Sequence, residues 1–261
     1  MKIALVSLDQ IWEDKIANRV KCQDYIERAS HSGAELIVFP EMTLTGFSMN
    51  IRLISEKTIH SATLDFFSHQ AELNNICVAF GVVFEKDEKA TNNLVIVDNN
   101  GAILTNYAKI HPFSYSGENN FYLGGSELVS TVISNANIGS TICYDLRFPD
   151  IFQYLSKNCN IILTIANWPE RRITHWLSLL QARAIENQLF MIGVNRTGID
   201  GNNIKYIKST VVFDPLGEKI NPSFSDRELD IYDLHLDIVK SVRDSFPVKS
   251  DRRIELYKSL L

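Results

Sequence analysis

The sequence lacks a long hydrophobic segment and an excess of basic residues. No apolar run approaches the ~20 residues that a membrane-spanning helix needs. Acidic residues outnumber basic ones by 31 to 26, which gives a formal net charge of −5 at pH 7. A chain of this sign is not expected to take nucleic acid or an anionic membrane as its main partner. The sequence therefore favours a globular protein with neither kind of partner.

Cysteine is scarce, and the four cysteines of the sequence form no Cys-x-x-Cys pair. The apolar N-terminal run is broken at Asp9, which makes it too short for the hydrophobic part of a secretory signal. A disulfide framework is unexpected in such a chain, and a reduced, cytoplasmic location is predicted. The six histidines show no His-x-His or His-x-x-x-His spacing, so we expect no metal site and no cofactor.

A Ser- or Gly-rich linker is also absent, so residues 1–261 are predicted to form a single domain. Short apolar stretches alternate with helical patterns in two similar halves, which predicts an α/β fold with two sheets covered by helices. The predicted strands are 2–8, 35–39, 76–84, 92–98, 102–107, 137–142, 160–165, 190–195, 209–213 and 229–236. The predicted helices are 14–32, 64–74, 149–156 and 173–188. The charged, proline-containing tail, about residues 244–261, is expected to wrap a sheet edge or a partner subunit.

The stretch from Ile138 to Asp150 carries the first candidate for chemistry. Its apolar run ends at Cys143, the following residues turn polar, and Pro149 is predicted to open a helix. A cysteine at the end of a buried strand presents its sulfur at the mouth of a sheet, where nucleophiles lie in α/β enzymes. Most free cysteines are small buried hydrophobic residues. This position alone is therefore compatible with both interpretations.

Two further reactive side chains follow the ends of predicted strands. Glu41 comes just after the second strand, and Lys109 just after the strand that ends at Tyr107. The attack of a thiol on a carbonyl needs a base and a donor that faces the oxyanion, and sheets assemble such groups at the carboxyl ends of their strands. Taken singly, Glu41 could be a turn carboxylate and Lys109 a solvated edge charge. His111 offers a Cys–His pair as a lower-ranked alternative, because His-Pro is more typical of a residue that shapes a loop.

Three separate segments resemble the signatures of the nitrilase, or carbon–nitrogen hydrolase, superfamily. They are Phe39-Pro40-Glu41-Met42, Lys109-Ile110-His111 and Cys143-Tyr144-Asp145-Leu146-Arg147-Phe148-Pro149. The resemblance extends over nearly the whole chain, and the Asn167-Trp168-Pro169 and His175-Trp176 segments are most similar to the omega-amidase branch. It implies a four-layer αββα sandwich with a Glu-Lys-Cys catalytic triad.

The resemblance also implies a role for each matching residue. Glu41 would be the general base that deprotonates Cys143 and later activates water, and Cys143 would form a thioester. Lys109 and the backbone N–H of Tyr144 would stabilise the oxyanion. Glu118, in the long loop after Lys109, matches a second family glutamate that orients the base and the lysine. The positive charge of Lys109 is expected to lower the pKa of the thiol.

The omega-amidase resemblance implies hydrolysis of the terminal amide of 2-oxo dicarboxylic acid monoamides, such as 2-oxoglutaramate and 2-oxosuccinamate, to the acid and ammonia. The substrate's remote carboxylate requires a cation or a cluster of N–H groups. Arg171 and Arg172 are candidates for that cation, and Arg172 is preferred because it has the spacing of the omega-amidase branch. Aromatic residues of the loops are expected to line the pocket: Phe113, Tyr115, Phe121 and Trp168.

Several alternatives stay open from the sequence. The same chemistry would serve an N-carbamoyl hydrolase, a nitrilase or a deaminated-glutathione amidase, and a catalytically silent binding protein could keep the same fold. The resemblance implies a homodimer formed through the helix after the nucleophile and the C-terminal tails. Arg183 and Glu186 on the long helix could pair with each other or across that dimer.

Overall fold

A computed structural model describes residues 1–260. In chain order its strands are β1 (Lys2–Val6), β2 (Leu36–Val38), β3 (Cys77–Lys86), β4 (Lys89–Val97), β5 (Ile103–Ala108), β6 (Ser130–Ile133), β7 (Ala136–Ile142), β8 (Ile161–Ala166), β9 (Phe190–Asn195), β10 (Gly198–Ile199), β11 (Lys205–Tyr206), β12 (Val211–Phe213), β13 (Phe224–Ser225) and β14 (Leu229–Asp233). Its α-helices are α1 (Lys15–His31), α2 (Ile51–Ile54), α3 (Ala62–Asn74), α4 (Glu118–Phe121), α5 (Pro149–Leu155), α6 (Ile173–Asn187), α7 (Asp237–Ser245) and α8 (Ile254–Leu260). Short 3-10 helices cover Thr58–His60, Ser114–Ser116, Cys143–Arg147, Glu170–Arg172 and Val248–Asp251. No helix of this described part of the chain is long and apolar enough to cross a membrane.

The strands form two main sheets with the same central plan. The first has the order β13-β14-β1-β2-β3-β4-β5, and the second has the order β12-β9-β8-β7-β6. The strands β1, β2 and β3 are parallel in the centre of the first sheet, as are β7, β8 and β9 in the second. Antiparallel strands flank both centres. The two similar halves predicted from the sequence are therefore present.

Side chains alternate along the central strands and separate the four layers. Ile3 and Leu5 of β1 belong to the apolar cluster between the sheets, whereas Ala4 and Val6 belong to the cluster under the outer helices. This alternation follows from the two-residue period of a strand. Helices α1 and α3 cover the first sheet, and α5 and α6 cover the second. The predicted αββα sandwich is confirmed.

Helix α1 was predicted nearly to its ends. The Asp14 side chain accepts a hydrogen bond from the helix N-terminus, and Ser32 ends the helix. Two of its four apolar residues at helical spacing, Ile16 and Val20, are 78% and 68% exposed, and the other two are buried. Asn18 instead points inward, because its Nδ2 donates to the carbonyl oxygens of two loop residues at 2.7 and 2.8 Å. A buried polar side chain thus sets the rotation of this helix.

The C-terminal part contains a helix that the sequence did not predict. Arg243 of α7 donates to four backbone carbonyls at the C-terminal ends of α5 and α6: Ser156, Cys159, Asn187 and Gln188. Helix C-termini leave such carbonyls unpaired and favour a nearby cation. Lys249 also donates to the Ser156 carbonyl, at 3.0 Å. Residues up to Lys249 therefore pack against their own chain, and contact of the tail with a partner subunit stays a prediction.

Candidate active site

Loops that leave the carboxyl ends of β2, β5, β7 and β8 meet at one edge of the sandwich. Cys143 directly follows β7, Asn167 directly follows β8, and Lys109 directly follows β5. These three residues line one pocket. Glu41, three residues after β2, is fully buried and accepts a hydrogen bond from Lys109. The structure therefore brings together the three side chains that the sequence singled out.

Lys109 is held between two carboxylates. Its Nζ lies 3.2 Å from Glu41 Oε1 and 2.8 Å from Glu118 Oε2, and all three side chains are buried. Burial alone would lower the pKa of Lys109, but the negative charges of Glu118 and Glu41 hold that pKa well above its usual value. Lys109 is therefore a fixed ammonium ion at neutral pH, and Glu118 lies in a position to orient this ammonium.

The backbone around Glu41 is tightly fixed. The next residue, Met42, has φ of +46°, a left-handed conformation that costs free energy in a residue with a Cβ atom. Gln10 Nε2 donates to three successive carbonyls, including that of Glu41 at 3.0 Å. The Glu41 carboxylate accepts the backbone N–H of Asn167 at 2.8 Å. These contacts keep the carboxylate beside Lys109.

Gly81 on β3 allows the Glu41 turn to approach the sheet. A Cβ atom at this position would lie 2.2 Å from the backbone nitrogen of Met42. Gly81→Ala is therefore expected to displace the base and to lower kcat by about 100-fold, since a misplacement of about 1 Å can have that effect. We also expect a loss of about 1–3 kcal/mol in the free energy of unfolding, measured by urea denaturation.

Val82→Ala is the matched control, because Val82 faces the helices on the opposite side of β3. It is expected to lower stability by a similar amount while kcat stays within about threefold of the wild-type value. Equal kcat values for Gly81→Ala and Val82→Ala would contradict this account of the glycine.

Cys143 lies at a strained turn. It has φ of +46° and begins the 3-10 helix Cys143–Arg147. The backbone N–H of Tyr144 lies in the first turn of that helix, where N–H groups have no acceptor within the helix. Asp145, fully buried, accepts the N–H of Ile142 at 3.0 Å and the hydroxyl of Tyr107 at 2.7 Å. The turn is thus fixed on both sides of the sulfur.

His111 supports this turn as well. Its Nδ1 lies 2.8 Å from Asp145 Oδ1, its backbone N–H donates to the same oxygen at 3.0 Å, and its ring stacks on Phe148 at 3.7 Å. The imidazole therefore contacts Asp145 and Phe148, as a residue that shapes the loop. This geometry favours Glu41 over His111 as the partner of the thiol.

Burial raises the pKa of Cys143 by more than the expected effect of Lys109 lowers it. Burial, followed by the charge of Glu41, raises the pKa of the thiol well above its usual value, and the opposing effect of Lys109 is smaller. Desolvation penalises the thiolate, and a neighbouring carboxylate penalises it further. The resting residue is therefore a neutral thiol. It needs a base at the moment of attack, and Glu41 is the buried carboxylate that can supply one.

The pocket above Cys143 is small, and six aromatic residues help to line it. It has a volume of about 170 Å³, below the 300 Å³ or more of a typical drug-sized site. Its expected lining residues Phe113, Tyr115 and Trp168 are present, whereas Phe121 does not line it. Two aromatic residues that the sequence did not indicate complete the wall: Phe47 and Tyr206. Tyr206 is held from behind, because its hydroxyl donates to Asp200 at 2.9 Å.

Three arginines line the same pocket: Arg147, Arg171 and Arg172. The Arg172 guanidinium lies 5.3 Å from the centre of the Phe113 ring, and that of Arg147 lies 4.9 Å from the Trp168 ring. Burial and the neighbouring Arg171 lower the pKa of Arg172, but a guanidinium stays charged at neutral pH. The adjacent carboxylate, Glu170, pairs with Lys205 at 3.1 Å. The pocket is thus positively charged and suited to an anionic ligand.

Other expected features were also located. Arg183 pairs with Glu186 of the same helix at 3.1 Å and donates to the Leu146 carbonyl at 3.0 Å. Within residues 1–260, no group of three or more His, Cys, Asp or Glu side chains could hold a metal ion.

The fold and the site fit an enzyme that hydrolyses carbon–nitrogen bonds, and comparison with known proteins points to the same class. The family model described as carbon-nitrogen hydrolase matches residues 2–244. The chain belongs to the carbon–nitrogen hydrolase family, as the resemblance in the sequence implied.

Relatives of this chain include proteins named for amide hydrolysis. The chain is 33% identical to omega-amidase YafV of Yersinia enterocolitica over 96% of each chain. It is 31% identical to the 2-oxoglutaramate amidase of Bacillus subtilis over 98% of each chain. It is also 29% identical to a hydrolase in the agr operon of Staphylococcus aureus, over 99% of this chain and all of that one. The match therefore spans whole proteins.

Solved structures confirm the architecture. A CN-hydrolase superfamily protein from Xanthomonas campestris, with an arsenic adduct in its active site, superposes with a TM-score of 0.88 at 27% identity over 97% of each chain. An amidase from Nesterenkonia superposes with a TM-score of 0.86 at 22% identity, over all of this chain and 96% of that one. The second likeness shows the shared fold.

Proposed function

We propose that this chain is an omega-amidase that hydrolyses 2-oxo dicarboxylic acid monoamides, such as 2-oxoglutaramate and 2-oxosuccinamate, to the acid and ammonia. The observation that carries the proposal is a small pocket lined by Cys143, Lys109 and three arginines. Such a pocket accommodates a short molecule with an amide at one end and a carboxylate at the other. Two relatives named omega-amidase and 2-oxoglutaramate amidase support the same substrate class.

The reaction begins with attack of the Cys143 thiol on the amide carbon. Glu41 takes the thiol proton while the sulfur–carbon bond forms. The oxyanion is stabilised by the Lys109 ammonium and the backbone N–H of Tyr144, contacts that are worth most in a buried site. The carbon–nitrogen bond then breaks, and the proton held by Glu41 passes to the leaving nitrogen, which departs as ammonia. A thioester on Cys143 remains.

Water completes the cycle. Glu41, again a carboxylate, takes a proton from a water molecule that attacks the thioester carbon. The same ammonium and N–H group stabilise the second oxyanion. The carbon–sulfur bond breaks, the sulfur recovers the proton from Glu41, and the dicarboxylate leaves. No redox step and no external group are required.

Arg172 is the proposed partner of the remote carboxylate. Arg172→Ala is expected to raise KM for 2-oxoglutaramate by about 30- to 100-fold, because a charge-assisted hydrogen bond contributes about 2–3 kcal/mol. The value of kcat should change much less, since this contact is made equally in the ground state and the transition state. The measurement is ammonia release as a function of substrate concentration.

The matched control for Arg172 is its neighbour, Arg171→Ala, with an uncharged amide of the same length as second substrate. We expect a smaller KM effect from Arg171→Ala, and no effect of Arg172→Ala on the uncharged amide beyond about threefold. A larger effect at Arg171 would transfer the role to that residue. Equal effects on both substrates would show that Arg172 acts by shaping the pocket.

A substrate panel tests the proposed activity against its alternatives. One relative, 29% identical over 98% of this chain and 96% of that one, is named a deaminated glutathione amidase. The panel therefore contains 2-oxoglutaramate, deaminated glutathione, N-carbamoyl compounds and nitriles. We expect the highest kcat/KM with 2-oxoglutaramate. A higher value with another class would replace the proposed substrate. No turnover, combined with no selective labelling of Cys143 by iodoacetamide, would favour a silent binding protein.

We further propose a homodimer formed through α5, α6 and the C-terminal tail. Exposed apolar side chains lie on these elements and the adjoining turn: Tyr154, Leu177, Ile185, Leu216 and Phe246. Three of them, Ile185, Leu216 and Phe246, line a groove of about 530 Å³ together with Lys249 and Arg252. Ile185→Asp is expected to convert the dimer to a monomer in analytical ultracentrifugation, because it places a charge in an apolar interface. A wild-type monomer would contradict this proposal.

The proposed location is the cytoplasm. All four cysteines of the chain are free thiols. Reduced cysteines are the rule in that compartment.

A further inference from the structure

Asn92 of β4 lies against both carboxylates of the site. Its Nδ2 is 2.7 Å from Glu41 Oε1 and 3.3 Å from Glu118 Oε1. The side chain is 1% exposed, and its Oδ1 has no hydrogen-bond partner among the described residues. The backbone carbonyl of the same residue accepts the N–H of Lys109 at 2.8 Å. Asn92 therefore touches three of the groups to which a role has been given.

The amide can take only one orientation here. The reverse assignment would place Oδ1 against two carboxylate oxygens, which also accept and do not donate. The NH2 group must therefore face the carboxylates, although this leaves the buried Oδ1 unpaired. An unpaired buried oxygen costs free energy. The sequence tolerates that cost at a position where an apolar residue would fit the strand pattern of Leu94 and Ile96.

A count of donors shows what Asn92 adds. The Lys109 ammonium has three N–H donors, and three carboxylate oxygens lie within 3.2 Å of it: Glu41 Oε1 and both oxygens of Glu118. In the resting state the ammonium is therefore fully occupied. To donate to an oxyanion it must weaken one of these bonds, and the one to Glu41, at 3.2 Å, is the longest. The shorter bond from Asn92 to the same oxygen persists when that happens.

We propose that Asn92 is a positioning residue that holds Glu41 as an oriented carboxylate while Lys109 turns toward the oxyanion. This inference rests on the proposed function, because it takes Glu41 as the base and Lys109 as the oxyanion donor. Asn92 touches neither the substrate nor the reacting atoms, and it acts through these two side chains. It is a neutral donor, so it orients the base without adding a second cation beside it.

The charges around Glu41 fix the sign of the expected pH effect. Lys109 faces it from the end of β5, Glu118 from α4, and Cys143 from the end of β7. The Tyr122 hydroxyl, which donates to the Ser48 carbonyl, lies on the same side. Burial, and then the nearby carboxylates, raise the pKa of this hydroxyl. Removing the Asn92 donor leaves a less stabilised carboxylate among these groups. The base should therefore be lost to protonation more readily, and the acidic limb of the kcat/KM profile should move to higher pH.

The test compares Asn92→Leu with Asn93→Leu. Asn93 is the matched control, because it is also buried on β4 but faces the other side and donates to Asn106 at 2.7 Å. For Asn92→Leu we expect kcat to fall about 10- to 100-fold with KM within about threefold, and the acidic limb of the kcat/KM profile to move up by about one pH unit. For Asn93→Leu we expect kcat and the limb to stay near wild-type values.

The isosteric variant Asn92→Asp also removes the amide donor. It replaces Asn92→Leu in the comparison if Asn92→Leu does not fold. Circular dichroism and the stoichiometry of Cys143 alkylation establish the folded fraction of each variant. A lower kcat with an unmoved acidic limb, or an equal shift in Asn93→Leu, would overturn the inference in favour of a packing role. If wild-type protein does not hydrolyse 2-oxoglutaramate, the proposed substrate fails, and the same comparison is made on the amide with the highest kcat/KM in the panel.

Discussion

Cys143→Ala is expected to lower kcat/KM for 2-oxoglutaramate by on the order of 10⁵-fold, because removal of a nucleophile abolishes the covalent route. The fold should persist, since the thiol lies at the pocket and only packs partly against the core. The measurement is ammonia release under saturating and limiting substrate, with the unfolding midpoint recorded for each variant. The variant should still bind substrate, because Lys109 and the arginines are untouched.

Cys159→Ala is the matched control for this substitution. Cys159 is 1% exposed and lies in the cluster beneath α5 and α6. Its replacement creates a small cavity, so stability should fall while kcat/KM stays within about threefold of wild type. Residual activity in Cys143→Ala above about one per cent would contradict the thioester route and point to direct attack by water.

Glu41→Gln is expected to change two measurements in opposite directions. Hydrolysis should fall on the order of 10⁴-fold, because the base that activates both the thiol and the water is lost. Alkylation of Cys143 by iodoacetamide at pH 7 should become faster by about tenfold or more, because the carboxylate that raises the thiol pKa is gone. A variant that had merely unfolded would label all four cysteines.

The pH dependence of Cys143 alkylation reports directly on the pKa of the thiol. In wild type the raised pKa of Cys143 keeps the thiolate fraction small, so the rate should climb about tenfold per pH unit through pH 9 without a plateau. In Glu41→Gln the curve should shift to lower pH. Glu35→Gln, at the opposite end of the strand that precedes Glu41, serves as control and should leave the curve unchanged. A plateau near pH 7 in wild type would contradict the resting neutral thiol.

The positions of most strands along the chain, and the residues that follow them, could be predicted from the sequence. Both end residues of β9 were predicted correctly, and those of β7 and β8 were predicted to within one residue. This succeeded because runs of apolar residues mark strands that are buried on both faces. Parallel strands place their carboxyl ends on one edge, so residues after different strands meet there. Glu41, Lys109 and Cys143 were found for this reason, and through motifs that agree with it.

Contacts that depend on which strand pairs with which could not be predicted. In the sequence Asn92 is one polar residue of a predicted hairpin. Its contact with Glu41 arises only because β4 pairs with β3 and β5 in the sheet. Tyr206 reaches the pocket from a short hairpin with little apolar pattern. Helix α7 has few buried residues, and its position depends on the four carbonyls that Arg243 caps. Tertiary hydrogen bonds leave no periodic signal in a sequence.

The net direction of the thiol pKa shift could not be predicted from the sequence, because it depends on how deeply the thiol is buried. The sequence shows that Lys109 and Glu41 both lie near Cys143, but not how completely water is excluded. In the structure, desolvation and Glu41 together outweigh the ammonium. The raised pKa fits the proposed mechanism, in which the thiol loses its proton to Glu41 during attack.

Rapid quenching of wild-type protein with 2-oxoglutaramate, followed by mass spectrometry of the peptide that contains Cys143, tests the central claim most directly. The account predicts an acyl group on Cys143, equal to the substrate minus ammonia, that forms within the first turnover and disappears as product accumulates. It predicts no such adduct in Cys143→Ala. Turnover without an acyl group on Cys143, or an adduct on another residue, would contradict it.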